Sequence, residues 1–304
     1  MSTSVEVRHL AARHHVMMVR DGDARSCHKR TPPGGEPAAL TREVRVLAIV
    51  QRHLPGLAPR VLGHDPSSRT LRVEWVGGAT GAEDPAALLD PGTASVLGAA
   101  LGALHGLAAD DLAPLPRPFT VHRPTPTDLR AMTGGELEML RVLQGSDLTC
   151  VTLDGLREGW DACALIHGDV AAHHIVPGRD GAPLRLLDWD QAGMGDPAWD
   201  VACALACHLG VWLDAVDTNG SLRCDDTHAA NRALVAAWSK RRDAQASPAR
   251  LAALVGARLV QLAFGRAGWG DRPDVVAIRY AQVAANVMAQ PDVAATALLG
   301  LDLV

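Results

Sequence analysis

The 304-residue chain has no uninterrupted apolar run of the roughly eighteen residues that a membrane-spanning helix requires. Its first residues, MSTSVEVRHL, lack the apolar core of a secretory signal peptide. It also lacks an excess of positive charge, because 29 Lys and Arg residues stand against 34 Asp and Glu residues, for a formal net charge of -5. A broad surface for nucleic acid or for an anionic membrane is therefore not expected. We expect a cytoplasmic protein with a small-molecule or peptide partner.

Cysteine pairs are missing as well. The six cysteines are scattered along the chain, and no two of them form a Cys-x-x-Cys pair. This distribution favours free thiols over disulfides or zinc ligands. Cys203 and Cys207 lie one helical turn apart inside an apolar run, which predicts that they pack in the core.

The first eighty residues predict a small antiparallel sheet with one helix. Residues 15–32, HVMMVRDGDARSCHKRTP, form two extended runs around an Asp-Gly-Asp turn. Residues 40–54 place apolar side chains at helical spacing, and Pro55-Gly56 follows them. Residues 59–78 form a second hairpin pattern around Asp65-Pro66-Ser67-Ser68. The predicted order is strand, strand, helix, strand, strand.

The pattern becomes mainly helical after Gly77-Gly78, which we interpret as the hinge between two lobes, 1–77 and 78–304. Residues 93–109 are apolar on most sides and predict a core helix, in which His105 is expected to be a satisfied core residue. A Pro-rich loop and two helices are predicted to follow. The hydrophobic content of 48% is enough for a full core.

Acids and imidazoles are concentrated in residues 167–190, HGDVAAHHIVPGRDGAPLRLLDWD. Asp169 follows the short apolar strand ALI. Asp188 is predicted to close the second strand of a hairpin formed by HHIV and LRLLDWD, so that both carboxylates converge at one sheet edge. Phosphoryl transfer needs one acid to orient the attacking hydroxyl and another to hold Mg²⁺ against nucleotide phosphates. A single Asp at a strand end often only caps a turn, but the grouping favours a site.

Three motifs resemble those of the aminoglycoside phosphotransferase family, which shares the protein kinase fold. They are HGD at 167–169, LLDWD at 186–190 and GDPAWDVA at 195–202. The resemblance covers nearly the whole chain. It implies a bilobal, protein-kinase-like α/β (α+β) fold, with a small antiparallel-sheet lobe that binds nucleotide and a large helical lobe.

The resemblance assigns roles to the acids of the helical lobe. Asp169 is then the catalytic base and Asp188 the main magnesium ligand. Asp190 assists the metal or shapes the loop. His167 anchors the catalytic loop through a hydrogen bond to its backbone, and Asp200 holds that loop from the helix below.

The resemblance also assigns four nucleotide-binding residues in the first lobe. Lys29 is the phosphate-binding lysine and Glu43 its ionic partner, while the main chain of Glu74 and Val76 contacts adenine. Lys29 is supported independently, because only it and Lys240 are lysines among the 29 basic residues. A lysine kept in so arginine-rich a chain indicates a position that needs a compact ammonium.

Two departures from the family pattern stand out. His174 occupies the position where the family usually has Asn as a second metal ligand. Imidazole can bind a divalent ion, but Mg²⁺ prefers oxygen, so we expect weaker or pH-dependent metal binding, a bias toward Mn²⁺, or loss of turnover. The predicted phosphate-covering loop at residues 10–16, LAARHHV, has neither Gly nor Ser.

Three functions compete. The first is a kinase that uses ATP or GTP with Mg²⁺ to phosphorylate a hydroxyl of an antibiotic, a metabolite or a peptide Ser or Thr in a biosynthetic pathway, in that case with a partner protein. The second is a catalytically weak pseudokinase that serves as a nucleotide- or peptide-binding scaffold. The third is a metal-dependent hydrolase with ligands at His167, Asp169, His173, His174 and Asp188. The hydrolase leaves Lys29 and Glu43 without a role.

Overall fold

The amino-terminal part of the molecule is an antiparallel sheet with one helix, as the sequence predicts. The computed structural model describes residues 5–6, 15–21, 24–31, 37–109, 111–178, 182–216, 222–240 and 246–301. The strand order is β1-β2-β3-β5-β4, and every pairing is antiparallel. The predicted order is confirmed, with the two-residue β1 in addition. The elements are β1 (Val5–Glu6), β2 (His15–Asp21), β3 (Ala24–Arg30), α1 (Pro37–His53), β4 (Val61–Asp65) and β5 (Thr70–Glu74).

Helix α1 packs through one stripe of side chains against the sheet. Leu40, Leu47 and Val50 are buried on this stripe at helical spacing. Glu43 falls on the same stripe and is therefore buried with them. The helix ends before Gly56, which has a φ of 91° and turns the chain toward β4.

The carboxy-terminal part is mainly helical, and its described residues include two small two-stranded sheets. The segment before β6 holds three short helices where two were predicted. Met132 is extended after α4, and Thr133 begins a new capping box, so the chain cannot continue as one helix. The elements are α2 (Pro85–Leu88), α3 (Pro91–His105), α4 (Pro126–Ala131), α5 (Gly134–Gln144), α6 (Asp147–Glu158), β6 (Ala164–Ile166), β7 (Ile175–Val176), β8 (Arg185–Leu186), β9 (Gly193–Gly195), α7 (Pro197–Val216), α8 (Cys224–Ser239), α9 (Pro248–Ala267), α10 (Val275–Ala289) and α11 (Pro291–Ala297).

The predicted hairpin around residues 177–181 is shorter than expected. Its strands β7 and β8 have two residues each, and His174 lies in the 3-10 turn Ala172–His174 before β7. Asp188 lies two residues beyond β8 with a φ of 59°, so the prediction that it closes the strand is wrong. A residue with left-handed backbone angles cannot continue an extended strand. Residues 179–181 lie outside the described part.

The helical part has a continuous apolar core in which α7 and α9 are central. Cys203 is fully buried, as predicted, whereas Cys207 is partly exposed. Helix α3 approaches α8 closely at Gly98, where a Cβ would lie 2.1 Å from the main-chain oxygen of Leu234. None of the helices among the described residues is both long and apolar enough to cross a membrane.

Candidate active site

The HGD segment leaves β6 as a loop that the side chain of Asp200 holds from below. The main-chain amides of His167 and Gly168 donate hydrogen bonds to Asp200 at 2.7 and 2.8 Å. Gly168 has a φ of 81°, and a Cβ there would lie 2.3 Å from the oxygen of Gln191. Only glycine fits this turn. The carboxylate of Asp200, on α7, therefore orients the loop that carries Asp169.

Asp200 is itself held by a buried pair of rings. Trp238 donates its indole N–H to His105 Nδ1 at 3.0 Å. His105 therefore carries its proton on Nε2, which donates to Asp200 at 3.0 Å. His105 is a satisfied core residue, as predicted, and it also fixes the Asp200 carboxylate. Trp199 adds a hydrogen bond to the oxygen of Gly168 at 3.0 Å.

His167 connects the loop of Asp169 to the loop of Asp188. Its Nδ1 accepts from the main-chain amide of Asp169 at 3.3 Å, so Nε2 carries the proton and donates to the oxygen of Leu187 at 2.9 Å. The predicted backbone anchor is present, and it reaches both loops. Burial lowers the pKa of His167, which keeps the ring neutral in this role.

Lys29 lies between two acids from different parts of the chain. Its Nζ is 2.7 Å from Glu43 Oε1 on α1 and also forms an ion pair with Asp188. Burial disfavours the ammonium, but the two carboxylates outweigh it and raise the pKa of Lys29 above its ordinary value. The sequence places these three residues at one site, and the structure brings them together.

His174 lies between the predicted catalytic base, Asp169, and the predicted metal ligand, Asp188. Its Nδ1 donates to the main-chain oxygen of Asp169 at 2.9 Å, and its Nε2 faces Asp188 Oδ2 at 3.4 Å. Burial opposes protonation, but Asp188 and Asp169 raise the pKa of the ring above its usual value. Although burial favours the neutral acid, Lys29 and His174 hold the pKa of Asp188 well below its ordinary value.

Asp169 has a second partner, Arg258 on α9, that the sequence analysis missed. Arg258 Nη2 forms an ion pair with Asp169 Oδ1. Burial favours the neutral acid and so raises the pKa of Asp169, but the charges of Arg258 and then His174 outweigh burial and lower this pKa. The available signal was a lone arginine inside the apolar run LAALVGARLVQLAF, since such a side chain needs a buried partner.

The predicted hinge residues follow β5. The Glu74 side chain accepts from Arg185 at 2.5 Å and from Arg60 at 2.6 Å, which joins the sheet to the hairpin of β8. Its amide donates to the oxygen of Arg60 at 2.8 Å. Within the described residues, the amide of Val76 makes no hydrogen bond.

Asp190, the third predicted metal residue, is buried beside α1. Its main-chain oxygen accepts from Arg42 Nη2 at 3.1 Å. This contact fixes the loop after Asp188. Of the predicted phosphate-covering loop, residues 10–14 lie outside the described part, and His15 and Val16 belong to β2.

The donor set around Asp188 fits a divalent cation that is shared with a nucleotide. Nε2 of His174 faces the same space as Asp188 Oδ2, at 3.4 Å, and it can bind a metal there once it has lost the proton that Asp188 favours. In the part of the chain that the structure describes, no group of three or more His, Cys, Asp or Glu side chains could hold a metal alone. Mg²⁺ sites of nucleotide enzymes use one or two protein ligands and complete the shell with phosphates and water.

A sheet with a buried Lys–Glu pair, joined to a helical part that presents two loop carboxylates, defines a kinase-like phosphotransferase. A model described as the phosphotransferase enzyme family APH matches residues 8–259. The chain belongs to this family, and it is an enzyme of the transferase class. No curated protein sequence matches the chain.

Solved structures share the fold at low sequence identity. Macrolide 2'-phosphotransferase MphH from Brachybacterium faecium is 17% identical, with 93% of this chain and 92% of that chain covered and a TM-score of 0.55. Choline kinase LicA from Streptococcus pneumoniae is 13% identical, with 94% of each chain covered and a TM-score of 0.59. A microcompartment-associated aminopropanol kinase is 18% identical, with 99% and 95% covered and a TM-score of 0.58. LicA is also known in complex with AMP. The predicted bilobal kinase-like fold is thus confirmed.

Proposed function

We propose that this enzyme transfers the γ-phosphoryl group of ATP or GTP to a hydroxyl of a small molecule or of a peptide Ser or Thr. The observation that carries this proposal is the ion-pair junction of Lys29 with Glu43 and Asp188. It places one ammonium from the sheet against a loop acid of the helical part, where a triphosphate can bind between them. The family membership supports the same reaction class.

The nucleotide is held between a first lobe, residues 1–77, and a second, residues 78–304. Lys29, oriented by Glu43, binds phosphate oxygens when Asp188 leaves its ion pair with Lys29 and binds a metal instead. The free amide of Val76 and the carbonyl of Glu74 bind the edge of the purine. The Glu74 side chain takes no part in this contact, since Arg185 and Arg60 already occupy it.

Asp188 and His174 hold a divalent cation, Mg²⁺ or Mn²⁺, which neutralises phosphate charge when it is bound. The geometry supporting this proposal is the 3.4 Å approach of His174 Nε2 to Asp188 Oδ2. Asp190 assists the metal or shapes its loop, and the contact of its main chain with Arg42 supports the second role.

Asp169 orients the acceptor hydroxyl. The oxygen of that hydroxyl forms the new bond to phosphorus, the bond to the nucleoside diphosphate breaks, and the proton passes to Asp169. The named relatives act on macrolides, choline and aminopropanol, which supports a small hydroxyl compound as acceptor. We also propose that the enzyme is cytoplasmic.

The test is transfer of labelled phosphate from ATP or GTP to a panel of amino alcohols, aminoglycosides, macrolides and Ser- or Thr-containing peptides. Asp169→Ala should abolish transfer while calorimetry shows nucleotide binding retained. Asp188→Ala should lose metal-dependent nucleotide binding too. Asp292→Ala, an exposed acid on α11, is the matched control and should behave like the native enzyme.

The outcomes separate the competing functions. Nucleotide binding without any transfer, to acceptors or to water, would contradict the kinase and favour the scaffold. Tightly bound stoichiometric zinc or iron in the purified protein would favour the hydrolase. Full activity of Asp169→Ala would remove Asp169 from the mechanism.

His174 is tested separately by His174→Asn. We expect this variant to bind Mg²⁺ with nucleotide more tightly and to lose part of any preference for Mn²⁺, because an amide oxygen replaces a nitrogen donor. Mn²⁺ binding in the presence of a nucleotide, followed by electron paramagnetic resonance, measures this directly. Identical Mg²⁺ and Mn²⁺ affinities in both proteins would show that His174 does not bind the metal.

A further inference from the structure

A charged residue lies deep in an otherwise apolar stretch of α9. Arg258 has an exposed fraction of 9%, and its neighbours Ala257 and Leu259 are fully buried. Burying a guanidinium costs several kcal/mol unless a partner of opposite charge compensates. The compensation comes from a loop 89 residues away in the chain, where Nη2 contacts Asp169 Oδ1. The other terminal nitrogen of the guanidinium, Nη1, donates a hydrogen bond to Gln261 Oε1 at 3.1 Å.

These two contacts fix the guanidinium at both ends. Gln261 is on the same helix one turn later, so its hydrogen bond holds the plane of the Arg258 guanidinium in one orientation. The thiols of Cys203 and Cys207 lie near it on α7, and burial raises the pKa of each thiol, that of Cys207 to about 12. Both thiols are therefore neutral near pH 7. Among these neighbours, Asp169 alone supplies a negative charge.

The consequence for Asp169 is that its two oxygens differ. Oδ1 is taken by Arg258, while Oδ2 accepts no hydrogen bond within the described residues and lies 3.7 Å from His174 Nδ1. That nitrogen already donates to the main-chain oxygen of Asp169 at 2.9 Å. The side chain of Asp169 is 28% exposed, so Oδ2 is open to the cleft.

We propose that Arg258 is the positioning residue of Asp169: it binds Oδ1, selects one side-chain rotamer and presents Oδ2 to the attacking hydroxyl. This inference rests on the proposed function, in which Asp169 orients the acceptor. Arg258 acts through Asp169 and contacts no reacting atom. A displacement of the orienting group by about 1 Å is enough to cost roughly 100-fold in rate.

The experiment uses water as the acceptor, because the natural acceptor is unidentified. Release of ADP from ATP and Mg²⁺ is followed for the native chain, Arg258→Gln and Arg258→Lys, with nucleotide affinity measured by calorimetry. We expect Arg258→Gln to lose about 10- to 100-fold in kcat while KM for ATP stays unchanged. Arg258→Lys should recover part of the rate, since it restores the charge but not the rigid, planar set of donors.

Arg266→Gln is the matched control, because Arg266 lies on the same helix and pairs at 2.7 Å with Asp274, an exposed acid outside the proposed mechanism. Its rate should equal that of the native chain. Gln261→Leu removes one hydrogen bond to the Arg258 guanidinium without leaving a buried charge unpaired, so this variant should fold. Its kcat should fall, by a smaller factor than that of Arg258→Gln. In an Asp169→Asn background, Arg258→Gln should cause no further loss.

Two failures are distinguishable. If the native chain releases no ADP and transfers no phosphate, the proposed function is wrong and this inference falls with it. If the native chain is active and both Arg258→Gln and Gln261→Leu keep its kcat, or if Arg258→Gln is faster, the proposed function stands and the positioning role of Arg258 is refuted. An equal loss in Arg258→Gln with and without Asp169 would also refute it.

Discussion

Replacing Lys29 by Met should destabilise the protein strongly, because it leaves a carboxylate buried without its cation. Glu43 has an exposed fraction of 2%, and its Oε1 has Lys29 Nζ at 2.7 Å, while its Oε2 is buried with no hydrogen-bond partner. Removing one member of a buried ion pair costs about 3–5 kcal/mol. Asp188 adds little to this cost, because its side chain is 26% exposed and His174 stays beside it.

The magnitude can be checked by urea unfolding at pH 7, followed by tryptophan fluorescence. Lys29→Met should lose about 3–5 kcal/mol of unfolding free energy. Adding Glu43→Gln should return part of the loss, since a buried neutral amide is less costly than a buried charge. Lys240→Met is the control, because Lys240 is the other lysine and is exposed, and it should change stability by less than about 0.5 kcal/mol.

Two results would refute this reasoning. Burial raises the pKa of Glu43 even beside Lys29. A loss below about 1 kcal/mol in Lys29→Met would mean that Glu43 takes up a proton, gains water or finds another partner, and is not held as a buried anion. A double variant less stable than Lys29→Met alone would mean that the Glu43 charge is not the source of the cost. Nucleotide titration of the same proteins tests the functional side, where Lys29→Met should bind ATP much more weakly.

Three further predictions concern the supports of the site. Asp200→Ala leaves the amides of His167 and Gly168 without an acceptor, so we expect a loss of about 2–4 kcal/mol of unfolding free energy in urea and a large fall in kcat. An unchanged stability would contradict the role of Asp200 in holding this loop. Arg185→Ala breaks the ion pair with Glu74, so hydrogen exchange of the β8 amides should become faster. Unchanged exchange rates would mean that this ion pair does not stabilise β8. Asp188 has a lowered pKa in the folded protein, so its ionised form stabilises the fold above about pH 4, and this stabilisation is lost as the pH falls further. The difference in unfolding free energy between the native protein and Asp188→Asn should therefore narrow from pH 7 to pH 3. A constant difference would oppose this assignment.

Much of the amino-terminal fold could be predicted because its signals are local. The Asp65 carboxylate accepts hydrogen bonds from Ser67 and Ser68, which is the turn that the sequence indicates. The apolar spacing of residues 40–54 predicts α1, and it places Glu43 on the buried stripe. The HGD, LLDWD and GDPAWDVA motifs identify the family, although the hairpin strands between the first two are shorter than their sequence indicates.

The sequence by itself determined which residue types are available: a scarce lysine, loop carboxylates after short strands, and the periodicities that make a sheet followed by helices. Only the tertiary structure decided which of them meet. Arg258 lies 89 residues from Asp169, and no local pattern joins them. The left-handed backbone of Asp188 and the direction of the His174 ring are likewise set by packing and by hydrogen bonds between loops. Such long-range contacts depend on how the core closes, and residue spacing carries no record of that.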